Sequence, residues 1–427
     1  MKKAFVALLL LLAMTGMIFA NGSQEKAASG GAKEEITFWY RHKGDEAIAV
    51  ENIIAAYNAS QDKYHVTGLS ANDAQKVLVA VSSGTGPDVY EVASAQFPTF
   101  VAQGLLESLD SYVKKDNIDV DNIFVPKAAI AGTANGTRYS LPLAAYNIEL
   151  FYNKDILAEI GYTEPPKTID EMYEMAVKAT KLDSEGNIEV LGYPLFPLLS
   201  AKWELTYAWG GRWWSEDRTQ FTPENPGNLL ALQKNVEYRN LYGIKKVQAF
   251  ISTANTNRYT EKDMFFQGKQ LFRIDGAWLP TMMKNYNLDV NWGVCLVPGV
   301  AGQDAGVSRY DVNHVAIMST SKHKEGAWDF CKWLATGAGA KAWDMMLVNP
   351  PALKSNFSDK EIQDSINGFD VFKEASETGV GINYPIVPNY TEYASLIDEY
   401  LDYAYSGDMT PEKAMSGLVE ATKRLAK

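Results

Sequence analysis

The chain has 427 residues and a formal charge of −12, with 52 acidic against 40 basic side chains, and its lysines and arginines form no cluster. That balance excludes nucleic acid and an anionic membrane surface as natural partners. The length exceeds what one hydrophobic core usually serves, so two domains are expected.

Met1-Lys2-Lys3 leads into an apolar run from Ala4 to Ala13 and small residues ending at Phe19-Ala20. The run is too short to span a bilayer and reads as a secretory signal peptide over residues 1–20. Loss of Lys2 and Lys3 with it takes the charge from −12 to −14. No cysteine lies near the cut, so the exported protein is expected to be soluble and not lipid-anchored. The only cysteines, Cys295 and Cys331, sit in apolar runs and are expected as buried free thiols. Residues 21–34 are rich in Gly, Ser, Ala, Lys and Glu and suit a flexible leader.

Ile36–Tyr40 reads as a buried strand, and Ala47, Val50, Ile54 and Tyr57 recur at helical spacing behind it. Val66–Leu69 and Asp88–Val92 read as strands around a helix over Asp73–Val81, with a turn at Gly84-Thr85-Gly86-Pro87. Such alternation predicts a parallel sheet covered by helices, with ligands beyond the carboxyl ends of its strands, here Tyr40-Arg41-His42 and the region Val92–Gln96. Asn135-Gly136 signals a hairpin, and Ile148–Tyr152 a further strand. Thr168 opens a helix through Glu171 at capping-box spacing.

Four tryptophans and a tyrosine then fall within twelve residues: Trp203, Tyr207, Trp209, Trp213 and Trp214. Gly210-Gly211 interrupts any helical run among them, leaving two uses open, an exposed aromatic wall or packing between helices. Beyond them lie a helix over Leu229–Tyr242, a strand-like segment Gln270–Trp278, a helix over Gly326–Leu334 and a final helix capped by Thr410-Pro411.

Several segments in this order resemble the extracellular solute-binding proteins of sugar ABC transporters, the family that includes maltose-binding protein. Gly84–Asp88 with Phe100–Asp110 resembles its "GPD … GLL … LD" block. Tyr139–Pro142, Phe151–Asp155 and Pro165–Glu171 resemble its "Y-x-x-P … YNKD … PPKT-x-x-E" block. Phe266–Lys269 with Asp275–Trp278, and Asn349–Ala352 with Thr410–Glu412, resemble its later parts. Each motif is weak alone; their order over roughly 330 residues is specific.

The resemblance implies an α/β, two-lobed periplasmic-binding-protein fold of class II, with a hinge that the chain crosses several times. The lobes implied are 35–145 plus 312–345, and 146–311 plus 346–427. That division puts Cys295 and Cys331 in different lobes, and a bridge between them would block opening. It further implies an inner-membrane ABC permease as partner, a periplasmic location, a monomer, and a carbohydrate ligand, a mono- or short oligosaccharide, held between the lobes.

Trp278 lies where the family places a sugar-stacking aromatic, next to Asp275; its alternative use is to close a strand-end core. Trp209, Gly210, Gly211 and Trp213 match a cleft-facing loop, with Trp203 and Trp214 as its supports and the glycines as a close-approach floor. Tyr40, Arg41 and His42 are the polar contributors of the first lobe, and Tyr146, Tyr310 and Asp311 lie at the expected crossings. Where maltose binders carry an Asp-Arg pair, this chain has Ala95-Gln96, which favours a smaller or differently linked saccharide than a long maltodextrin.

His42, His65, His314 and His323 lie singly, so neither a metal site nor a cofactor is indicated. Gly-x-Ser-x-Gly and Walker A sequences are absent, and three Ser-x-x-Lys matches at Ser111, Ser319 and Ser321 lack their companion motifs. No catalytic residues are assigned. The alternatives are a secreted glycoside-active enzyme, whose two carboxylates need only converge in space, and a same-fold receptor for a polyol, phosphorylated or nitrogenous solute.

Overall fold

The computed structural model describes residues 33–425 except 72, 196–200, 303–305, 379, 382–383 and 388. The chain divides into Met1–Lys33 and a compact unit Glu34–Lys427. The signal peptide and the leader as far as residue 32 lie outside the described residues, and the leader's last expected residue, Glu34, already belongs to the first strand.

The strands in chain order are β1 (Glu34–Tyr40), β2 (Tyr64–Ser70), β3 (Val89–Ala93), β4 (Thr133–Ala134), β5 (Thr137–Arg138), β6 (Leu141–Asn153), β7 (Lys181–Leu182), β8 (Ile188–Val190), β9 (Phe272–Gly276), β10 (Trp292–Cys295), β11 (Val307–Ile317) and β12 (Val380–Gly381). One eight-stranded sheet carries the fold, ordered β10-β6-β11-β3-β1-β2, with β9 also on β6 and β12 on β11. β1, β2 and β3 are parallel, as the alternation predicts. β11 is antiparallel to β3 and β6, and β6 to β9 and β10, so the sheet is mixed. β6 is the long element: Leu141–Ala145 pairs with β11, and Ile148–Tyr152 pairs with β9. Its side chains are buried on both faces almost throughout, which is why its sequence does not alternate.

Local chemistry sets most boundaries. Asp73 accepts the Gln75 and Lys76 N–H groups at the start of helix Ala74–Ser82. Thr168 accepts from Glu171 N–H and Thr410 from Lys413 N–H, as N-caps of Ile169–Ala179 and Pro411–Thr422. Asn135 and Gly136 both take positive φ (50° and 78°), the type I′ geometry that twists with the β4–β5 hairpin.

Two large apolar cores form. One gathers Ile36, Phe38, Val50, Tyr57, Phe330 and Trp343 around β1 and helices Gly44–Ser60 and Lys324–Thr336. The other gathers Trp203, Trp209, Trp213, Tyr238, Tyr393 and Leu401 around helices Ala201–Ala208, Pro226–Tyr242 and Tyr390–Tyr405. Cys295 on β10 and Cys331 on helix Lys324–Thr336 are both free. Among the described residues no helix is long and apolar enough to cross a membrane.

Candidate ligand-binding site

Strand periodicity assembles the site. In β11, Arg309, Asp311 and Asn313 alternate with Tyr310 and Val312, so the three polar side chains share one face. Asp311 stands opposite Tyr146 of β6, and Arg309 opposite Ile148, which in turn faces Gly276 of β9. Arg41, just past the end of β1, donates from Nη2 to Asn313 Oδ1 at 2.8 Å and so joins this face.

Trp278 bounds it at one end. Its indole lies over Gly276, 5.2 Å from the Tyr146 ring. The indole N–H donates to Tyr259 Oη at 2.9 Å, Tyr259 donates to Asp275 Oδ1 at 2.7 Å, and Arg273 Nε donates to Asp275 Oδ2 at 2.9 Å. Arg273 in turn grips both Asp263 oxygens at 2.9 and 3.0 Å. The polar edge of the indole is thus tied back, and its partly exposed ring is the part left to meet a ligand.

Two carboxylates flank Arg309. Asp311 Oδ2 lies 3.2 Å and Glu204 Oε1 3.5 Å from Arg309 Nε. Glu204 is fully buried; neither of its oxygens has a hydrogen-bond partner, nor does Asp311 Oδ1. Burial, opposed by Arg309, pushes Glu204 up to about 7. Asp311 rises to about 6, again through burial, with Arg309 and Arg41 opposing. Tyr384 closes this end: Trp214 stacks on it at 6.1 Å and Trp203 meets it edge-on at 6.5 Å. Its hydroxyl pKa is pushed up by burial first and then by the charge of Asp311.

Of the expected residues, Trp278, Tyr146, Arg41 and Asp311 come together and remain partly exposed. The others are placed differently. Tyr40 is buried with its hydroxyl on Glu51 at 2.6 Å. His42 is buried between Glu46 (3.0 Å) and Glu91 (3.2 Å), so both ring nitrogens are occupied. Asp275 is buried within the Arg273–Tyr259 network, and Tyr310 faces the opposite side of β11 from Asp311 and is fully buried.

The tryptophan stretch also differs from expectation. The chain is helical as far as Ala208, and Trp209, Trp213 and Trp214 follow the helix. Trp209 lies in the core, its N–H donated to Tyr193 Oη at 3.2 Å, and Trp213 is fully buried. Trp203 and Trp214, expected as supports, are the pair that flanks Tyr384. Gly210 ends the helix with φ 78°, and a β-carbon on Gly211 would stand 2.6 Å from Asn228 Oδ1, so chain packing accounts for both glycines.

Arg309, Asn313, Glu204 and Tyr384 escaped the sequence reading. The period-two run Arg309, Asp311, Asn313 inside an apolar strand was a usable signal, and Glu204 is the lone charge between Trp203 and Trp209. Tyr384 carried no signal. No group of three or more His, Cys, Asp or Glu side chains able to hold a metal occurs among the described residues.

The profile of the bacterial extracellular solute-binding protein family matches residues 17–341. The chain belongs to this family. Among curated relatives of this solute-binding protein, a maltotriose-binding protein of Pyrococcus abyssi is 26% identical over 81% of this chain and 72% of its own. A galactooligosaccharide-binding protein of Bacillus subtilis is 24% identical over 99% and 97%. Among solved structures, CpMnBP1 with mannotriose bound aligns with a TM-score of 0.80 at 26% identity, covering 90% of this chain and 99% of that one. The solute-binding protein therefore has the two-lobed α/β fold of these receptors.

Proposed function

We propose that this solute-binding protein is the periplasmic receptor of an ABC importer, and that it captures a mono- or short oligosaccharide between its lobes and presents it to the permease. The observation that carries the reading is the pairing of a tied-back indole, Trp278, with buried acceptors lacking donors, Asp311 Oδ1 and both Glu204 oxygens. An indole face suits the C–H face of a sugar ring, and inward acceptors suit its hydroxyls. The sugars in the names of the relatives support the same class of ligand.

The lobes in this reading are 35–145 plus 312–345 and 146–311 plus 346–427. Arg41 comes from the first; Tyr146, Trp278, Arg309, Asp311, Glu204 and Tyr384 come from the second. A ligand touching both favours the closed form by whatever contacts the open form lacks. Binding and release without bond cleavage is then the whole of its task, and the receptor works as a monomer.

Titrating the mature protein with mono-, di- and trisaccharides and polyols, following tryptophan fluorescence and product formation together, tests this. A saturable fluorescence change without turnover is expected. Turnover of a sugar would overturn the receptor reading, and silence to every sugar alongside a response to another solute would overturn the carbohydrate part.

A further inference from the structure

The charge arrangement around Arg309 narrows the ligand further. Glu204, from helix Ala201–Ala208, and Asp311, from β11, approach the same guanidinium nitrogen at 3.5 and 3.2 Å. Both are withdrawn from water: the Glu204 side chain is fully buried and that of Asp311 is 13% exposed. Three of their four oxygens accept no hydrogen bond. Arg309 thus meets two carboxylates, and its charge is more than matched.

The neighbouring cations are drawn on by other groups, although Arg41 Nε, Arg309 Nε and Asn313 Nδ2 are buried without an acceptor. Arg41 is bound to Asn313 and to Glu91, which is itself buried and also holds His42. Lys202, two residues before Glu204 in sequence, pairs with Asp398. The acceptors without donors can be satisfied by hydroxyl groups, which donate. A phosphate monoester or a carboxylate is an acceptor carrying negative charge at neutral pH, so it offers these oxygens no donor and is repelled by a charged carboxylate held away from water.

We propose that Glu204 and Asp311, both against Arg309 Nε, make the site selective for uncharged polyhydroxyl ligands and reject phosphorylated or carboxylated counterparts of the same sugars. The inference rests on the carbohydrate reading of the site and adds what that reading leaves open, the charge of the ligand. The two act together: Glu204 offers two buried oxygens without donors and Asp311 one, and each has an oxygen against Arg309 Nε.

The test uses calorimetric titration of the mature protein with matched pairs: neutral mono- to trisaccharides, and the phosphate esters and uronic acids of the same sugars. The wild type is expected to bind a neutral member at least 100-fold more tightly than its anionic partner. Glu204→Gln keeps the shape and removes the charge, and is expected to narrow that gap tenfold or more; Asp311→Asn supplies the same comparison should the first variant not fold. Wild-type affinities within threefold for both members of a pair would overturn the selectivity and leave the receptor reading intact. A gap unchanged in every variant that folds, judged by circular-dichroism melting, would overturn the assignment to these carboxylates. Binding of no saccharide, neutral or anionic, would overturn the carbohydrate reading and the inference with it.

Discussion

The α-carbon of Gly276 lies beneath the indole of Trp278, and a β-carbon there would come within 2.2 Å of the ring. The glycine lets the indole rest against the strand end, where Tyr259 holds its N–H. Gly276→Ala is therefore expected to displace the ring and to weaken ligand binding tenfold or more, while the melting temperature falls only modestly. Fluorescence titration beside thermal melting measures both, and unchanged affinity would show that the indole position does not matter to the ligand.

Trp278 and Trp213 should separate cleanly. Trp278→Ala is expected to weaken binding by about 1–3 kcal/mol with little loss of folding stability. Trp213 is fully buried, and Trp213→Ala is expected to cost about 3–5 kcal/mol of stability through the cavity it leaves. Urea denaturation of the two variants beside their titrations checks the contrast; a stability collapse in Trp278→Ala would place that ring in the core instead.

Asp275 was expected to touch ligand and lies instead inside a buried ion network, 2.9 Å from Arg273 Nε. Removing it leaves Arg273 with Asp263 alone, so Asp275→Ala is expected to destabilise the fold by about 3 kcal/mol. Because Tyr259 links Asp275 to the indole, binding should weaken in the same variant. Lost affinity at full stability in urea denaturation would point to direct ligand contact.

Two histidines should shape stability against pH in opposite senses. Burial opposes the charge on His42, but Glu91 and Glu46 outweigh it and raise its pKa from 6.5 to about 9. Its contribution is therefore complete below about 6.5 and lost as pH rises through about 9. His314 is buried beside Ser140, stacked on Phe97, and burial together with Arg41, Arg218 and Arg138 lowers it to about 3. Its contribution is present above 6.5 and lost as pH falls toward 3. His42→Gln should flatten the decline in melting temperature on the alkaline side, and His314→Gln the decline on the acid side. A parallel shift of the whole curve in either variant would contradict the assignment.

Much of the fold was legible in the sequence because its rules are local. An Asp, Thr or Asn side chain caps or turns the backbone within three residues of itself, so Asp73, Thr168, Asn135-Gly136 and Thr410 announced their elements wherever the rest of the chain went. The ordered motifs then indicated the family. What the sequence could not determine was which faces meet. Glu204 and Arg309 are 105 residues apart and converge only because helix Ala201–Ala208 packs on β11. Burial of Trp209 and Trp213, and the position of Trp203 and Trp214 beside Tyr384, follow from the same packing. A ring's chemistry is written in the chain, but whether it meets water, ligand or another ring depends on the elements laid against it, and tertiary structure alone decides that.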